Sequence, residues 1–182
     1  MTQALYFILR TLTQLYLLLL LLRFWLPLFR ADFRNPVAQG VLRLTSPLVI
    51  PLRRFVPPIG RIDTSTVLIA FAIEYLLILV LLLLTGSSAG IPAIAATAVL
   101  DLAILSLNMF FFVILVRIIL SWVSPHHYNP VTMMLGTIAE PILAPFRRLV
   151  RPIGGIDVSP IFAIVLLQAA VIILQTYRPL SV

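Results

Sequence analysis

Residues 35–63 read NPVAQGVLRLTSPLVIPLRRFVPPIGRID, and residues 129–157 read NPVTMMLGTIAEPILAPFRRLVRPIGGID. Sliding the chain on itself by 94 positions aligns the two stretches without a gap. The same register extends outward, from Arg23 on Arg117 to Ser65 on Ser159. A register held over this length predicts a tandem duplication. Each copy has one apolar stretch before its basic loop and another after it, so the unit is helix, basic loop, helix.

The composition places these helices in a lipid bilayer. Of the 182 residues, 62% are hydrophobic and 10% are charged, and the mean hydropathy is +1.14. A soluble core of this size could not bury so much apolar surface. Four stretches are long enough to cross about 30 Å of hydrocarbon: about 4–29, 66–85, 98–123 and 160–177.

We therefore predict an all-α membrane protein with four transmembrane helices in two parallel tandem repeats. The first repeat spans residues 1–85 and the second spans 98–182, joined by a connection at 86–97. An even number of spans in each repeat gives both copies the same orientation. Each basic loop is expected to carry a short helix, which is either interfacial or re-entrant.

Loop arginines predict the orientation. All 13 basic residues are arginine, the net charge is +7, and the basic residues gather in the two long loops, whereas GSSAGIPAIAAT carries none. By the positive-inside rule both basic loops face the cytoplasm, and both termini and the 86–97 connection lie on the other side. Arg178 is the one loop charge that does not fit this distribution.

The repeated stretch begins with a helix signal. Asn35 and Asn129 can cap free N–H groups, and the proline that follows each is accepted at the first helical position. We predict helices over about 36–46 and 130–140, ending before Pro47 and Pro141. The prolines beyond them are expected to hold the arginine pairs in extended backbone.

The end of the stretch predicts a turn at Gly60, or Gly154 in the second copy, and then a capped helix start. Asp63 and Asp157 precede the expected caps Ser65 and Ser159, where an acidic group near a helix start is favourable without any ligand. Cation binding is the alternative role for these carboxylates.

Two adjacent arginines follow the first helix of each loop. Guanidinium groups bind phosphate well, so we expect anionic lipid headgroups at the cytoplasmic face to contact Arg53, Arg54, Arg147 and Arg148. The alternative is a topology signal that stays in water.

Charged residues inside the spans are costly and are candidates for function. Counting along successive helices pairs Arg23 with Glu74, and sets Arg117 opposite Gln168. A second pair, Arg10 with Asp101, is expected near the opposite membrane face. Each pair is either a structural latch or part of an ion pathway, and a pathway would require an oligomer.

Other chemistry has little support in the sequence. The chain has no cysteine, and nucleotide loops, nucleophile elbows and zinc spacings are missing. The neighbouring His126 and His127 lack a further ligand type, so we interpret them as part of an interfacial loop. No enzymatic activity, cofactor, metal or nucleic acid partner is expected.

The order R…NP…P…P.RR..P.IG.ID.S, present twice among four spans, resembles the YggT family, also called YlmG. The motif positions carried by both copies are Asn35, Pro36, Pro47, Pro51, Gly60 and Asp63, and Asn129, Pro130, Pro141, Pro145, Gly154 and Asp157. The first copy departs from the pattern at Thr66, where proline would be usual, and at Ser46, where the second has Glu140.

The resemblance implies small multi-pass proteins of bacterial inner membranes and chloroplasts. It implies a non-enzymatic role in osmotic-stress resistance and ion homeostasis, potassium in particular. Alternatively, it implies a scaffold or assembly factor for envelope, cell-division or cytochrome haem-maturation complexes. A homo-oligomer or a membrane-protein partner is compatible with both roles. A polar cavity between Arg23, Glu74 and Arg117 would favour ion passage, whereas a solid bundle with exposed loops would favour a scaffold.

Overall fold

The computed structural model describes residues 2–123, 129–150 and 157–180, and in these ranges its named elements are all helices. They are α1 (Thr2–Leu28), α2 (Pro36–Arg53), α3 (Thr64–Thr85), α4 (Ile91–Val123), α5 (Pro130–Leu149) and α6 (Ser159–Thr176). The all-α prediction is confirmed, with α1 to α3 forming the first unit and α4 to α6 the second.

Four helices are long and apolar enough to cross a membrane: Gln3–Leu28, Thr64–Thr85, Ile91–Val123 and Ser159–Thr176. The four predicted spans are therefore present. The helix of the third span begins at Ile91, so the expected connection at 86–97 is too long. Pro92 is tolerated in a first helical turn, and the alanines after it favour helix. Gly86 ends α3 with φ 67°, a left-handed conformation that glycine adopts without strain.

The loop helices are longer than predicted. α2 runs through Pro47 and Pro51, and α5 runs through Pro141 and Pro145. The expectation that Pro47 and Pro141 end these helices is wrong, as is the extended backbone expected for the arginine pairs. All four prolines lie on the exposed face, where the carbonyls that lose their helical N–H partner can be solvated.

Burial on the opposite face keeps these helices intact. In α2 a stripe of Ala38, Val41, Thr45 and Val49 is buried, and α5 buries Met134, Ile138, Ala139 and Leu143. Spacings of three and four residues in α2, and of four residues from Met134 to Ile138 and from Ala139 to Leu143 in α5, put each set on one side of its helix. Both helices are thus amphipathic, and their burial outweighs the local cost of the prolines.

The two units repeat the same packing. α1 packs on α3, as α4 packs on α6, and the loop helix of each unit contacts both of its spans. The units meet through α3 with α4, α1 with α4, and α2 with α5. Because α2 and α5 touch each other, both basic segments lie at the same end of the bundle, which we call the basic end.

Local hydrogen bonds fix the return from α2 to α3. Ile59 and Ile62 exchange two backbone hydrogen bonds of 3.0 Å around Gly60, which has φ 61°. This confirms the predicted turn. The N-cap of α3 is Asp63, whose side chain accepts from the Thr66 N–H at 3.4 Å. The expected caps were displaced: α3 begins before Ser65, and Ser159 is the first residue of α6 rather than its cap.

Candidate functional site

A closed ionic network, which we call the first network, joins the three helices of the first unit. Arg23 of α1 is 4% exposed. Its guanidinium donates to the Thr45 hydroxyl at 2.9 Å and the Ser46 hydroxyl at 3.0 Å, both on α2. It also donates to the Leu42 carbonyl at 3.4 Å, and its Nε lies 3.6 Å from the Asp63 Oδ2. One buried side chain thus ties α1 to the middle of α2 and the start of α3.

Asp63 completes the first network from the other side. It is 5% exposed and accepts a hydrogen bond from Arg53, the last residue of α2. Burial raises the pKa of the Asp63 carboxyl, but hydrogen bonds from Thr66 and Arg53 and the Arg53 charge outweigh burial and hold that pKa below its usual value. The carboxylate is therefore charged at neutral pH and neutralises one of two guanidinium groups.

The sequence places these groups through simple local geometry. Thr45 lies on the buried stripe of α2 and donates its hydroxyl hydrogen to the Val41 carbonyl at 2.6 Å, which leaves its oxygen free to accept from Arg23. After the turn at Gly60, Ser65 donates to the Val56 carbonyl at 2.5 Å. These contacts hold the beginning of α3 against the end of α2, with Asp63 between them.

The second unit builds an open counterpart, the second network. Arg117 of α4 donates to the Glu140 carboxylate of α5 at 3.0 Å, and Arg147 also binds Glu140. The Nε of Arg147 donates to Asp157 at 2.8 Å. The four side chains are 31%, 50%, 36% and 39% exposed for Arg117, Glu140, Arg147 and Asp157.

Ion pairing controls the charge of the second network. Burial raises the pKa of Glu140, but hydrogen bonds and charge from Arg117 and Arg147 bring it below its usual value. Burial also raises the pKa of Asp157, and hydrogen bonds from Ser159 and Arg147 reverse that effect. For Arg147, burial lowers the pKa, and its two carboxylate partners raise it above the ordinary value.

The two networks share one pair and differ in charge at one position. Arg53 with Asp63 and Arg147 with Asp157 are the same ten-residue link in both units. The span arginine binds Ser46 at 3.0 Å in the first unit and Glu140 at 3.0 Å in the second, and these two positions are equivalent in the repeat. Sequence reasoning noted this difference but assigned it no partner.

A third group of charges, the outer cluster, lies toward the opposite end of the bundle. Arg178, just after α6, donates to Asp101 of α4 at 2.7 Å, with side chains 18% and 14% exposed. Glu74 of α3 is 5% exposed and interacts with the Asp101 carboxyl. Arg10 donates to the Tyr6 hydroxyl at 2.7 Å and lies close enough to influence both carboxylates.

Comparison with known proteins assigns the family. The model of the CCB3/YggT family matches residues 2–84 and again residues 96–177, once for each unit. The chain belongs to the CCB3/YggT family. The double match agrees with the tandem repeat and with the resemblance carried by the motif, so the YggT prediction is confirmed.

Relatives of this YggT-family chain cover most of its length. An uncharacterised protein of Pseudomonas aeruginosa is 43% identical over 92% of this chain and 85% of its own. The protein YggT of Escherichia coli K12 is 37% identical over 88% of this chain and 84% of its own. A chloroplast YlmG homologue of Arabidopsis thaliana is 35% identical over 46% of this chain and 34% of its own. No solved structure matches the chain.

Several predicted partners in this YggT-family chain are wrong. Arg23 binds Asp63 rather than Glu74, and Arg117 binds Glu140 rather than Gln168. Residue counting placed Arg23 level with Glu74, but α2 folds against the end of α1 and brings nearer acceptors. In the second unit the Glu140 carboxylate of α5 lies within hydrogen-bond distance of Arg117.

The outer cluster corrects the remaining pair. Asp101 forms an ion pair with Arg178, a partner that the sequence did not predict, and the predicted neighbour Arg10 lies close enough to act on Asp101 electrostatically. α6 ends at Thr176, and the chain turns back so that Leu180 packs against the buried Ile78, Leu82, Ile94 and Ala98. This return carries Arg178 to Asp101, so the loop arginine that conflicted with the positive-inside pattern is a neutralised charge.

The adjacent arginines have separate roles. Arg53 and Arg147 point into the networks and bind Asp63 and Asp157. Arg54 and Arg148 are exposed and form none of the ion pairs found among the described residues. Lipid contact by all four arginines stays a prediction, with the second arginine of each pair in the better position for it.

Some predicted residues fall outside the described ranges. These are His126 and His127, and Gly154 of the second motif copy. Within the described ranges, His, Cys, Asp and Glu side chains form no group of three that could hold a metal ion. Asp63 and Asp157 are bound by arginine and by helix N–H groups, which is the structural role predicted for them.

A groove between the two units is apolar. It has a volume of about 480 Å³ and lies between α1, α4 and α5. Its few polar side chains, Thr11, Gln14 and Asn108, lie among leucine, valine and methionine. Arg23, Glu74 and Arg117 do not line it. It therefore lacks the polar lining that an ion path needs.

Proposed function

We propose that the chain is a non-enzymatic, multi-pass protein of the bacterial inner membrane that supports osmotic-stress resistance and ion homeostasis, potassium in particular. It acts by docking to a membrane partner and does not conduct ions through a single chain. Its basic end faces the cytoplasm, and both termini lie on the other side, because loop arginines concentrate at that end.

This proposal rests on the ion pairs that charged residues of the spans form within one chain. Arg23 and Asp101 are each paired with a charged side chain inside one chain, and Arg23 has hydroxyl partners as well. A conduction path needs hydrated polar groups that an ion can reach and leave. Charges that neutralise each other between packed helices instead fasten the bundle, as the latch interpretation predicts.

The basic end supports docking. α2 and α5 lie side by side there, each amphipathic and each with an exposed arginine, Arg54 or Arg148, near its end. Ion pairs hold both helices in place, and the turn at Gly60 also holds α2, so little order has to be gained on binding. An anionic membrane surface or an acidic partner segment complements such a face.

Growth and ion flux test the two parts of the proposal separately. Cells lacking the protein should grow poorly at high osmolarity with limiting potassium, and the wild-type chain should restore growth. Purified protein in proteoliposomes should give no potassium flux above that of empty vesicles. Normal growth of the deletion strain would contradict the homeostasis role. Flux that scales with protein would contradict the docking mechanism.

An assembly role is the second candidate, and the exposed basic face favours it. A scaffold for envelope, cell-division or haem-maturation complexes would use this face to bind its client. Replacing Arg54 and Arg148 with glutamine should then impair complex assembly while growth under osmotic stress is retained. Loss of stress growth alone would favour the homeostasis role.

A further inference from the structure

Charge in the two networks is balanced differently. The second network has two arginines, Arg117 and Arg147, and two carboxylates, Glu140 and Asp157, so it is neutral. The first has two arginines, Arg23 and Arg53, and one carboxylate, so it keeps one net positive charge. The missing negative charge corresponds to one position, where the first unit has Ser46 and the second has Glu140.

The uncompensated charge is the more buried one. Arg23 is 4% exposed, and its Nε makes no hydrogen bond among the described residues, since Asp63 lies 3.6 Å away. A buried charge without full compensation is costly, and the cost falls when an anion approaches. The first network therefore has an electrostatic reason to attract a negatively charged group at Ser46.

Ser46 is reachable from outside. It lines an open groove on α2 formed by Leu42, Arg43, Ser46, Pro47, Ile50 and Pro51. Its hydroxyl oxygen accepts from Arg23, and its hydrogen has no acceptor among the described residues. Arg43, on the same groove, is exposed and takes part in none of the ion pairs of the described residues. An acceptor oxygen in the groove would meet a hydroxyl donor, a free guanidinium and the field of Arg23.

The remaining walls of the groove indicate the source of that oxygen. Leu42, Ile50 and the two prolines are apolar and suit the glycerol and upper acyl region of a lipid better than a hydrated ion. α2 is amphipathic and is not one of the four spanning helices, as expected for a helix at the headgroup level. One phosphodiester charge matches the one positive charge left over in the first network.

We propose that the Ser46 groove of the first unit is a binding site for the phosphate of an anionic lipid headgroup, and that Glu140 replaces that phosphate permanently in the second unit. The proposal is independent of the homeostasis role, because it concerns lipid binding and not growth. It also separates the units: the first needs a lipid to complete its network, whereas the second is complete by itself.

Reciprocal substitutions test the site in full-length protein purified in a neutral detergent. Ser46→Glu copies the second unit into the first, Glu140→Ser does the reverse, and Ser46→Ala removes the hydroxyl without adding a charge. The readout is the rise in melting temperature on adding phosphatidylglycerol, compared with phosphatidylcholine. Ligand that binds the folded state at about ten times its dissociation constant should raise the melting temperature by about 3 °C in a chain of this size.

The wild type should respond to phosphatidylglycerol and not to phosphatidylcholine. Ser46→Ala should keep this selectivity with a smaller rise, because it lacks the hydroxyl donor but keeps the positive charge of the first network. Ser46→Glu should melt higher than the wild type without lipid and lose at least half of the rise. Glu140→Ser should melt lower without lipid and gain a larger rise. A full response in Ser46→Glu would overturn the site; if that variant does not fold, an unchanged response in Glu140→Ser would overturn it. An equal rise with free inorganic phosphate would overturn the lipid as the occupant.

Discussion

The first and second networks are built from the same motif, but the first is largely buried and the second is partly exposed to solvent. Both connect the end of a loop helix to the start of the next span through an arginine and an aspartate ten positions apart. In the first unit the side chains of Arg23 and Asp63 are 4% and 7% exposed. In the second unit the side chain of every charged member is at least 31% exposed.

This difference determines how much each network contributes to stability. Charges near water interact weakly, since solvent screens them and side-chain order has a cost. When a buried charge loses its partner, its desolvation is no longer offset and the protein is strongly destabilised. The first network should therefore contribute much more to stability than the second, where substitutions should have small effects. Equivalent residues in a duplicated chain thus need not carry equivalent energies.

The largest effect is expected from removing the buried carboxylate. Asp63→Asn keeps a capping side chain at the start of α3, because asparagine caps as well as aspartate, but it leaves Arg23 without a counter-ion. We expect a loss of about 3 kcal/mol in unfolding free energy. The matched change Asp157→Asn should cost under about 1 kcal/mol, since Arg147 keeps Glu140 and both are partly exposed. Denaturation of purified protein in detergent measures both, and equal losses would break the comparison.

An intermediate effect is expected in the outer cluster. Asp101→Asn removes the ion pair between Asp101 and Arg178, whose side chain is 18% exposed, and should cost about 2 kcal/mol. Glu74→Gln replaces a buried carboxyl that faces the Asp101 carboxyl by an amide of similar shape, so it should cost clearly less. Melting temperatures of the two variants provide the check. A larger loss for Glu74→Gln would mean that Glu74, and not Asp101, holds the cations of this cluster.

A smaller effect is expected from acid. The pKa values of Asp63, Glu140 and Asp157 lie below their ordinary values, so their contribution to stability is present at neutral pH. It should decline as the pH falls below about 4 and be lost below the folded-state pKa values. Glu140→Gln should therefore be less stable than the wild type at pH 7, and the difference between the two stabilities should shrink as the pH falls from about 4 toward about 3. A constant difference across that range would contradict the ionic role of Glu140.

The smallest effect is expected at the exposed arginines. Arg54→Gln and Arg148→Gln should each change the unfolding free energy by less than about 0.5 kcal/mol, since neither side chain has an ionic partner among the described residues. Their effect should appear in binding to anionic vesicles, more at low salt than at high salt. Arg53→Gln, by contrast, should destabilise the protein, because it removes a ligand of Asp63.

Features with a simple periodicity were predictable from the sequence. The duplication, the four spans and the turn at Gly60 follow from register, length and glycine chemistry. The length of α2 could not be predicted in this way. The rule that proline ends a helix considers only the local backbone, whereas tertiary packing buries the stripe from Ala38 to Val49 and keeps the helix intact. Local sequence rules therefore predict that a helix or turn forms better than they predict where packing against other helices overrides a local helix-ending signal.

The ionic partners were mostly beyond sequence reasoning. Depth along a helix suggested Glu74 for Arg23, but a loop helix that folds against the bundle brings residues distant in sequence, Thr45 and Ser46, within 3.0 Å. One signal was present: Ser46 and Glu140 occupy equivalent positions in the repeat and differ in charge. Such a difference in an otherwise faithful register marks a position where the units balance charge differently.

A double-mutant cycle on Arg23 tests the central claim most directly. Unfolding free energies of Arg23→Gln, Asp63→Asn and the double variant give the coupling energy of that pair, and Arg23→Gln with Glu74→Gln gives the reference. The buried network predicts a coupling of about 1–3 kcal/mol between Arg23 and Asp63, and additivity within about 0.5 kcal/mol between Arg23 and Glu74. Additive effects of the Arg23 and Asp63 substitutions, together with coupling between Arg23 and Glu74, would contradict the buried network. They would show instead that Arg23 pairs with Glu74, as its depth in the membrane suggested.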